Sequence, residues 1–168
     1  MERRSALTIA CGAIASAIGG AVLAPVAALI GHPLLRRARA DGGKLLPVID
    51  LERLPDGVPV RATVTVAATR DAWARVEGAP LGAVWLVRSG GAVRAFSTSC
   101  PHAGCFVDRD ERGGFACPCH GSHFDADGRR LDGPAPRAMD ALDCTVEGGK
   151  VFVRWQRFRK ATPDREPA

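Results

Sequence analysis

Between residues 100 and 120 this chain crowds four cysteines and two histidines into two boxes, C-P-H-A-G-C at 100–105 and C-P-C-H-G-S at 117–122. Elsewhere the only thiols and imidazoles are Cys11, Cys144, His32 and His123. Such density calls for a metal centre, a disulfide, or both. A pure disulfide framework gives no reason for a histidine at a fixed offset from a cysteine in each box. A structural zinc ion takes four ligands and leaves two thiols over. A [2Fe–2S] cluster in which two histidines replace two cysteines on one iron uses both residue types.

The rest of the 168 residues has room for one modest domain and an appendage. The formal charge of +5 divides into +4 over residues 1–44, −2 over 45–150 and +3 over 151–168. A nucleic-acid footprint lies on the folded domain itself, and here the basic excess sits at the chain ends, so no nucleic-acid partner is expected. From Ser5 to Leu35 runs an uncharged stretch of 31 residues. As a helix it would span roughly 46 Å, more than the ~30 Å bilayer core. Residues 1–35 therefore read as a single-pass membrane anchor, with Pro25 and Pro33 expected to kink or end the helix.

Arg3-Arg4 before this run resembles a twin-arginine export signal. Ala38-Arg39-Ala40 resembles a signal-peptidase site, but the apolar run is longer than a cleaved signal needs, which favours a retained anchor. Gly12, Ser16 and Gly20 repeat at the spacing that lets membrane helices approach closely, and Cys11 reads as one more small helix residue. Lys and Arg counts alone would keep the domain in the cytoplasm, two before the helix against four after it. Export by the twin-arginine route predicts the opposite, a bacterial cytoplasmic-membrane protein with its head on the periplasmic side.

Residues 36–47 read as a linker with Gly42-Gly43 as its pivot. From Val48 the pattern is that of strands. V-P-V-R-A-T-V-T-V-A-A at 58–68 alternates, residues 83–97 read as a hairpin turning at Ser89-Gly90-Gly91, and 143–155 as another turning at Gly148-Gly149. The head over 48–157 is predicted to be all-β, with Cys144 packed in a strand, and 158–168 a loose polar tail.

The two boxes, C-x-H-x-G-C and C-P-C-H-G-S, resemble those of Rieske iron–sulfur subunits of bacterial cytochrome bc (quinol:cytochrome c reductase) complexes. Gly133-Pro134-Ala135-Pro136-Arg137 resembles that family's proline loop, and anchor, linker and β head follow in the family's order. The resemblance implies antiparallel sheets carrying a cluster-binding part at about 97–137, with one [2Fe–2S] cluster per chain. It implies Cys100, His102, Cys117 and His120 as metal ligands and a Cys105–Cys119 disulfide. It further implies that His120, with His102 beside it, meets a quinol, and that Ser122, Phe124, Gly133, Pro134 and Pro136 surround the cluster. The partners implied are a cytochrome b-type membrane subunit, a cytochrome c-type acceptor and the quinol.

The chain departs from the pattern at three places. Pro101 replaces the usual Thr, Ala103 the usual Leu of the first box, and Phe124 the usual Tyr, which in the family bonds a cysteine sulfur. Pro101 and Phe124 are also found in the small Rieske subunit of exported arsenite oxidases, the alternative reading. Two thiolates bring two ferric ions and two sulfides near neutrality, so a site with two imidazoles accepts an electron at higher potential than one with four thiolates. Loss of the Tyr hydroxyl lowers that potential and points to menaquinol as the donor. His123 has no role in the motif and reads as an exposed loop histidine; His32 is uninformative.

Overall fold

The computed structural model describes residues 3–37, 43–70 and 73–168. The chain divides into two compact units, residues 1–41 and 42–168. The first is one helix, α1 (Arg3–Arg37), which runs through Pro25 and Pro33 without the expected break. A proline removes a single backbone bond and is tolerated in an otherwise regular apolar helix. From Arg3 to Gly31 none of its residues is buried, and it is long and apolar enough to cross a membrane. The signal-peptidase site at 38–40 and Gly42 lie outside the described residues.

The second unit is all-β, as predicted. Strand β1 (Leu45–Asp50) leads into a single turn of 3-10 helix at Leu51–Arg53. There follow β2 (Val60–Arg70), β3 (Arg75–Ser89), β4 (Ala92–Ser97), β5 (Asp108–Arg109), β6 (Phe115–Cys117), β7 (Ser122–Phe124), β8 (Arg130–Asp132), β9 (Ala141–Leu142), β10 (Cys144–Glu147) and β11 (Lys150–Arg154). They form three sheets ordered β1-β11-β10, β2-β3-β4-β9 and β5-β6-β7-β8. Both anticipated hairpins are present, Ser89 pairing with Ala92 and Glu147 with Lys150. Gly148 and Gly149 turn the second with φ of +55° and +75°, the left-handed pair a two-residue turn of that twist requires.

The head begins earlier than expected. Leu45 pairs with Arg154, and Gly43 is already fixed: its carbonyl accepts from Arg154 Nη1 at 3.2 Å, and a Cβ there would lie 2.4 Å from the Trp155 carbonyl. Gly43 therefore belongs to the head. The tail differs too. Phe158 is buried in the core, Phe158 bridges to Pro167, and Arg159 N–H donates to Glu166 O at 2.9 Å. The polar run is a strap tied down by backbone bonds rather than a loose end.

Strand β3 is the wall between two cores. Successive side chains on a strand point to opposite faces. Val84 and Leu86 enter one core with Val64, Val151 and Val153, between the first two sheets. Trp85 and Val87 enter a second core with Phe96, Phe115 and Phe124. Trp85 Nε1–H donates to Val107 O at 2.8 Å, and its ring lies 5.6 Å from that of Phe115. This second core also takes in Cys100 and Cys117, so the two metal-binding boxes sit on a packed platform rather than on free loops.

Candidate metal centre

Both boxes are built alike. In the first, Cys100 N–H donates to Cys105 O at 2.8 Å and Gly104 N–H returns to Cys100 O at 2.9 Å. Gly104 makes that closure with φ +86°, a conformation that costs glycine little. In the second, Cys117 pairs with Ser122 across the β6–β7 hairpin, and Gly121 N–H donates to Cys117 O at 3.0 Å. Each box thus leaves one cysteine on the platform and one histidine at the loop tip.

The result is a layered site. Cys100 and Cys117 lie at the base, 1% and 2% exposed. His102 is half-buried and His120 exposed. Their rings meet edge to face with centroids 4.8 Å apart. Beside them Cys105 and Cys119 form the predicted disulfide, Cα atoms 6.5 Å apart, tying box to box. The sulfurs of Cys105, Cys117 and Cys119 lie within 4.8 Å of one another, but the disulfide removes two of them as thiolate donors.

Two observations show that the remaining donors suit a metal pair. His102 Nδ1 is buried without a hydrogen-bond partner, a penalty that a bound cation removes. Burial also pushes the Cys100 thiol above its ordinary value; the N–H of His102 works against this and the neighbouring Cys117 adds to it. Burial thus favours the neutral thiol at Cys100, whereas a cation in the site deprotonates a coordinating thiol outright. The donor set is two soft thiolates and two imidazoles, which matches iron in a mixed-ligand cluster.

The proline loop closes the far side. Ser122 is fully buried, and its Oγ accepts from Ala135 N–H at 3.0 Å. Gly133, with φ +85°, passes so close that a Cβ would sit 2.4 Å from Ser122 Cα. Pro134 and Pro136 face solvent, and Ala135 between them is the buried residue. The prolines stiffen the loop, and the contact is made by Ala135. Phe124 lies beneath in the second core. His123, read as an exposed loop residue, is instead half-buried on β7, its Nδ1 2.7 Å from Asp132 Oδ1 on β8.

Sequence reading missed one element of this neighbourhood. Arg137 and Asp140 form a buried two-pronged pair, 2.9 and 3.1 Å. The same guanidinium donates to the carbonyls of Thr162 and Arg159 on the strap at 2.5 and 2.7 Å. Only the three-residue spacing of the pair is visible in sequence, and its strap partners are 22 and 25 residues away.

The profile of the Rieske [2Fe–2S] domain matches residues 45–147, the span that holds both boxes and the proline loop. The chain is a Rieske protein. Its cofactor is accordingly a Rieske-type [2Fe–2S] cluster. Similar proteins include the cytochrome b6-f complex iron-sulfur subunit of Chlorobaculum tepidum, 39% identical over 42% of this chain and 39% of that one. The Rieske subunit of the mitochondrial cytochrome b-c1 complex of Schizosaccharomyces pombe is 34% identical over 64% of this chain and 44% of its own length. The chain therefore spans less than half the length of these curated relatives. Among solved structures, naphthalene 1,2-dioxygenase shares the fold, with a TM-score of 0.50 at 17% identity over 67% of this chain and 26% of that one.

The disulfide gives a stability prediction for this Rieske head. Cys105 and Cys119 are 14 residues apart, so replacing both with Ser should cost about 3 kcal/mol through restored chain freedom in the unfolded state. Denaturant unfolding of the full chain, with and without reductant, measures it. Equal midpoints under the two conditions would count against a structural role.

Proposed function

We propose that this chain is the electron-transfer subunit of a membrane quinol-oxidising complex of cytochrome bc type, acting as an enzyme only within that assembly. It takes an electron and a proton from a quinol and passes the electron to a cytochrome c-type acceptor. The observation that carries this reading is the pair of imidazoles at the rim, His120 exposed and His102 beside it. Cys100 and Cys117 would ligate one iron, and His102 and His120 the other. His102 offers its buried, unpartnered Nδ1 as the ligand atom, which leaves Nε2 free.

The bound cluster supplies a one-electron acceptor of raised potential. His120 would receive the quinol hydroxyl, and its ring nitrogen not bound to iron would take the hydroxyl proton. The buried thiols and the proline loop keep water from the inner face. The disulfide holds the two loops in one arrangement. The partners proposed are a cytochrome b-type membrane subunit and the cytochrome acceptor, with α1 as the anchor in a bacterial cytoplasmic membrane and the head on its outer side. Solubilised membranes test the assembly. Haem b should co-purify with the chain, whereas co-purifying molybdenum would replace this reading with the arsenite oxidase one.

Menaquinol is the proposed donor, and Phe124 is the reason. A hydrogen bond to a cysteine sulfur favours the reduced cluster, and Phe124 has no donor to give. If one such bond is worth about 1 kcal/mol, its absence lowers the one-electron potential by roughly 40 mV, at 59 mV per tenfold. Phe124→Tyr should therefore raise the midpoint by tens of millivolts, and Ser122→Ala should lower it. Voltammetry of the two variants checks both signs; an unmoved midpoint in Phe124→Tyr, with the cluster intact, removes this support for menaquinol.

A further inference from the structure

We infer that Lys160, carried by the C-terminal strap, is a built-in positive charge beside the first box that raises the reduction potential of the cluster. The inference rests on the proposed ligation by Cys100. Its basis is the charge arithmetic around Asp140. That carboxylate is fully buried and meets two cations, Arg137 at 2.9 Å and Lys160 Nζ at 3.5 Å. Arg137 takes both oxygens of Asp140 in a two-pronged pair and spends its other donors on the strap. One cation is cancelled and one is left over. Lys160 is the surplus charge.

Its place is fixed by the fold. The neighbouring Ala161 N–H donates to Pro101 O at 2.9 Å, next to Cys100. The Lys160 stem lies over Gly104, with Cε 3.9 Å from where a Cβ would stand. Ala161 adopts φ 55°, the one non-glycine residue in the left-handed region among the described residues. A backbone held in that strained form needs its surroundings to hold it there, and the bonds to Pro101 and Arg137 supply them. Burial draws the Lys160 ammonium below the ordinary lysine value; attraction to Asp140 opposes this and repulsion from Arg137 adds to it. The strap therefore keeps a half-buried ammonium against its solvation preference.

Reduction adds one negative charge to the cluster. A fixed cation nearby stabilises the reduced state more than the oxidised one, and partial burial weakens the screening that water would provide. The same strap thus works against the lowering ascribed to Phe124. The two residues set the potential from opposite sides.

The test is a redox titration of the full-length chain in detergent, followed by electron paramagnetic resonance. Lys160→Met and the milder Lys160→Gln should each reduce the equilibrium constant for reduction about fivefold, ~40 mV at 59 mV per tenfold. Lys160→Arg should restore the wild-type value. A wild-type midpoint in Lys160→Gln overturns the inference. So does a midpoint in Lys160→Arg that falls as far as in Lys160→Gln, because the effect then follows shape and not charge. Failure of the ligation reading is separately visible: Cys100→Ser would then retain its cluster signal, whatever the Lys160 variants do.

Discussion

Cys117→Ser should abolish the Rieske electron paramagnetic resonance signal, and Cys105→Ser should not. The two cysteines have similar neighbours but different chemistry. Cys117 is 2% exposed at the end of β6, in the second core beside Cys100, with its thiol free. Serine there keeps the shape and loses the ligand, because its hydroxyl is a far weaker acid than a thiol and a poorer match for iron. The same total loss is expected for Cys100→Ser, His102→Ala and His120→Ala. Cys105 is bonded to Cys119, so its replacement opens a tie between loops and leaves the four proposed donors in place. The signal should persist and decay faster on warming. Circular dichroism of each variant separates loss of the cluster from loss of the fold. If Cys105→Ser lost the signal completely while Cys117→Ser kept it, ligands and bridge would have to be exchanged.

The contrast between these cysteines was legible from the boxes through the family they resemble, and the base of the head was legible from strand physics. Alternation in 58–68 and the glycine turns at 90–91 and 148–149 each correspond to an element in the structure. What escaped was short or tied down from afar. Strands β5 to β8 are two or three residues long, too short for any period to show. They exist because the boxes and the second core hold them. Strand β1 was hidden by Pro47, which argues against a strand interior. The structure accommodates it on an edge strand where the register shifts between Pro47 and Ile49. The strap looked loose because its composition is polar, yet it is held by its backbone bonds and by Arg137, which spends three hydrogen bonds on Arg159 and Thr162. In the site, Ala135 was overlooked for the same reason. Its side chain carries no chemistry, and its backbone N–H matters only once Gly133 has brought the loop against Ser122.

That approach makes Gly133 a residue outside the proposed ligand set whose change should be costly. A Cβ at 133 would lie 2.4 Å from Ser122 Cα, 2.5 Å from Gly121 O and 2.8 Å from Ser122 N. All three are backbone atoms of the second box, so no side-chain rotation relieves the clash. The φ of +85° adds its own penalty, about 1–2 kcal/mol for a residue with a Cβ. Moving the loop away breaks the bond from Ala135 N–H to Ser122 Oγ, worth about 1 kcal/mol net. With the steric term, Gly133→Ala should lose at least about 3 kcal/mol, a large share of the 5–15 kcal/mol typical of a domain. Gly149→Ala is the matched control. Its φ of +75° is similar, but nothing lies within 4 Å of the added Cβ, so only the conformational penalty of about 1–2 kcal/mol applies. The expected order is a modest fall in melting temperature for Gly149→Ala and a clearly larger fall for Gly133→Ala. Only the second should speed cluster loss, because only there does water reach Ser122 and the inner face of the site. Thermal unfolding together with bleaching of the cluster absorbance measures both. Equal falls in the two variants, with the cluster equally stable, would mean that the proline loop does not press on the second box.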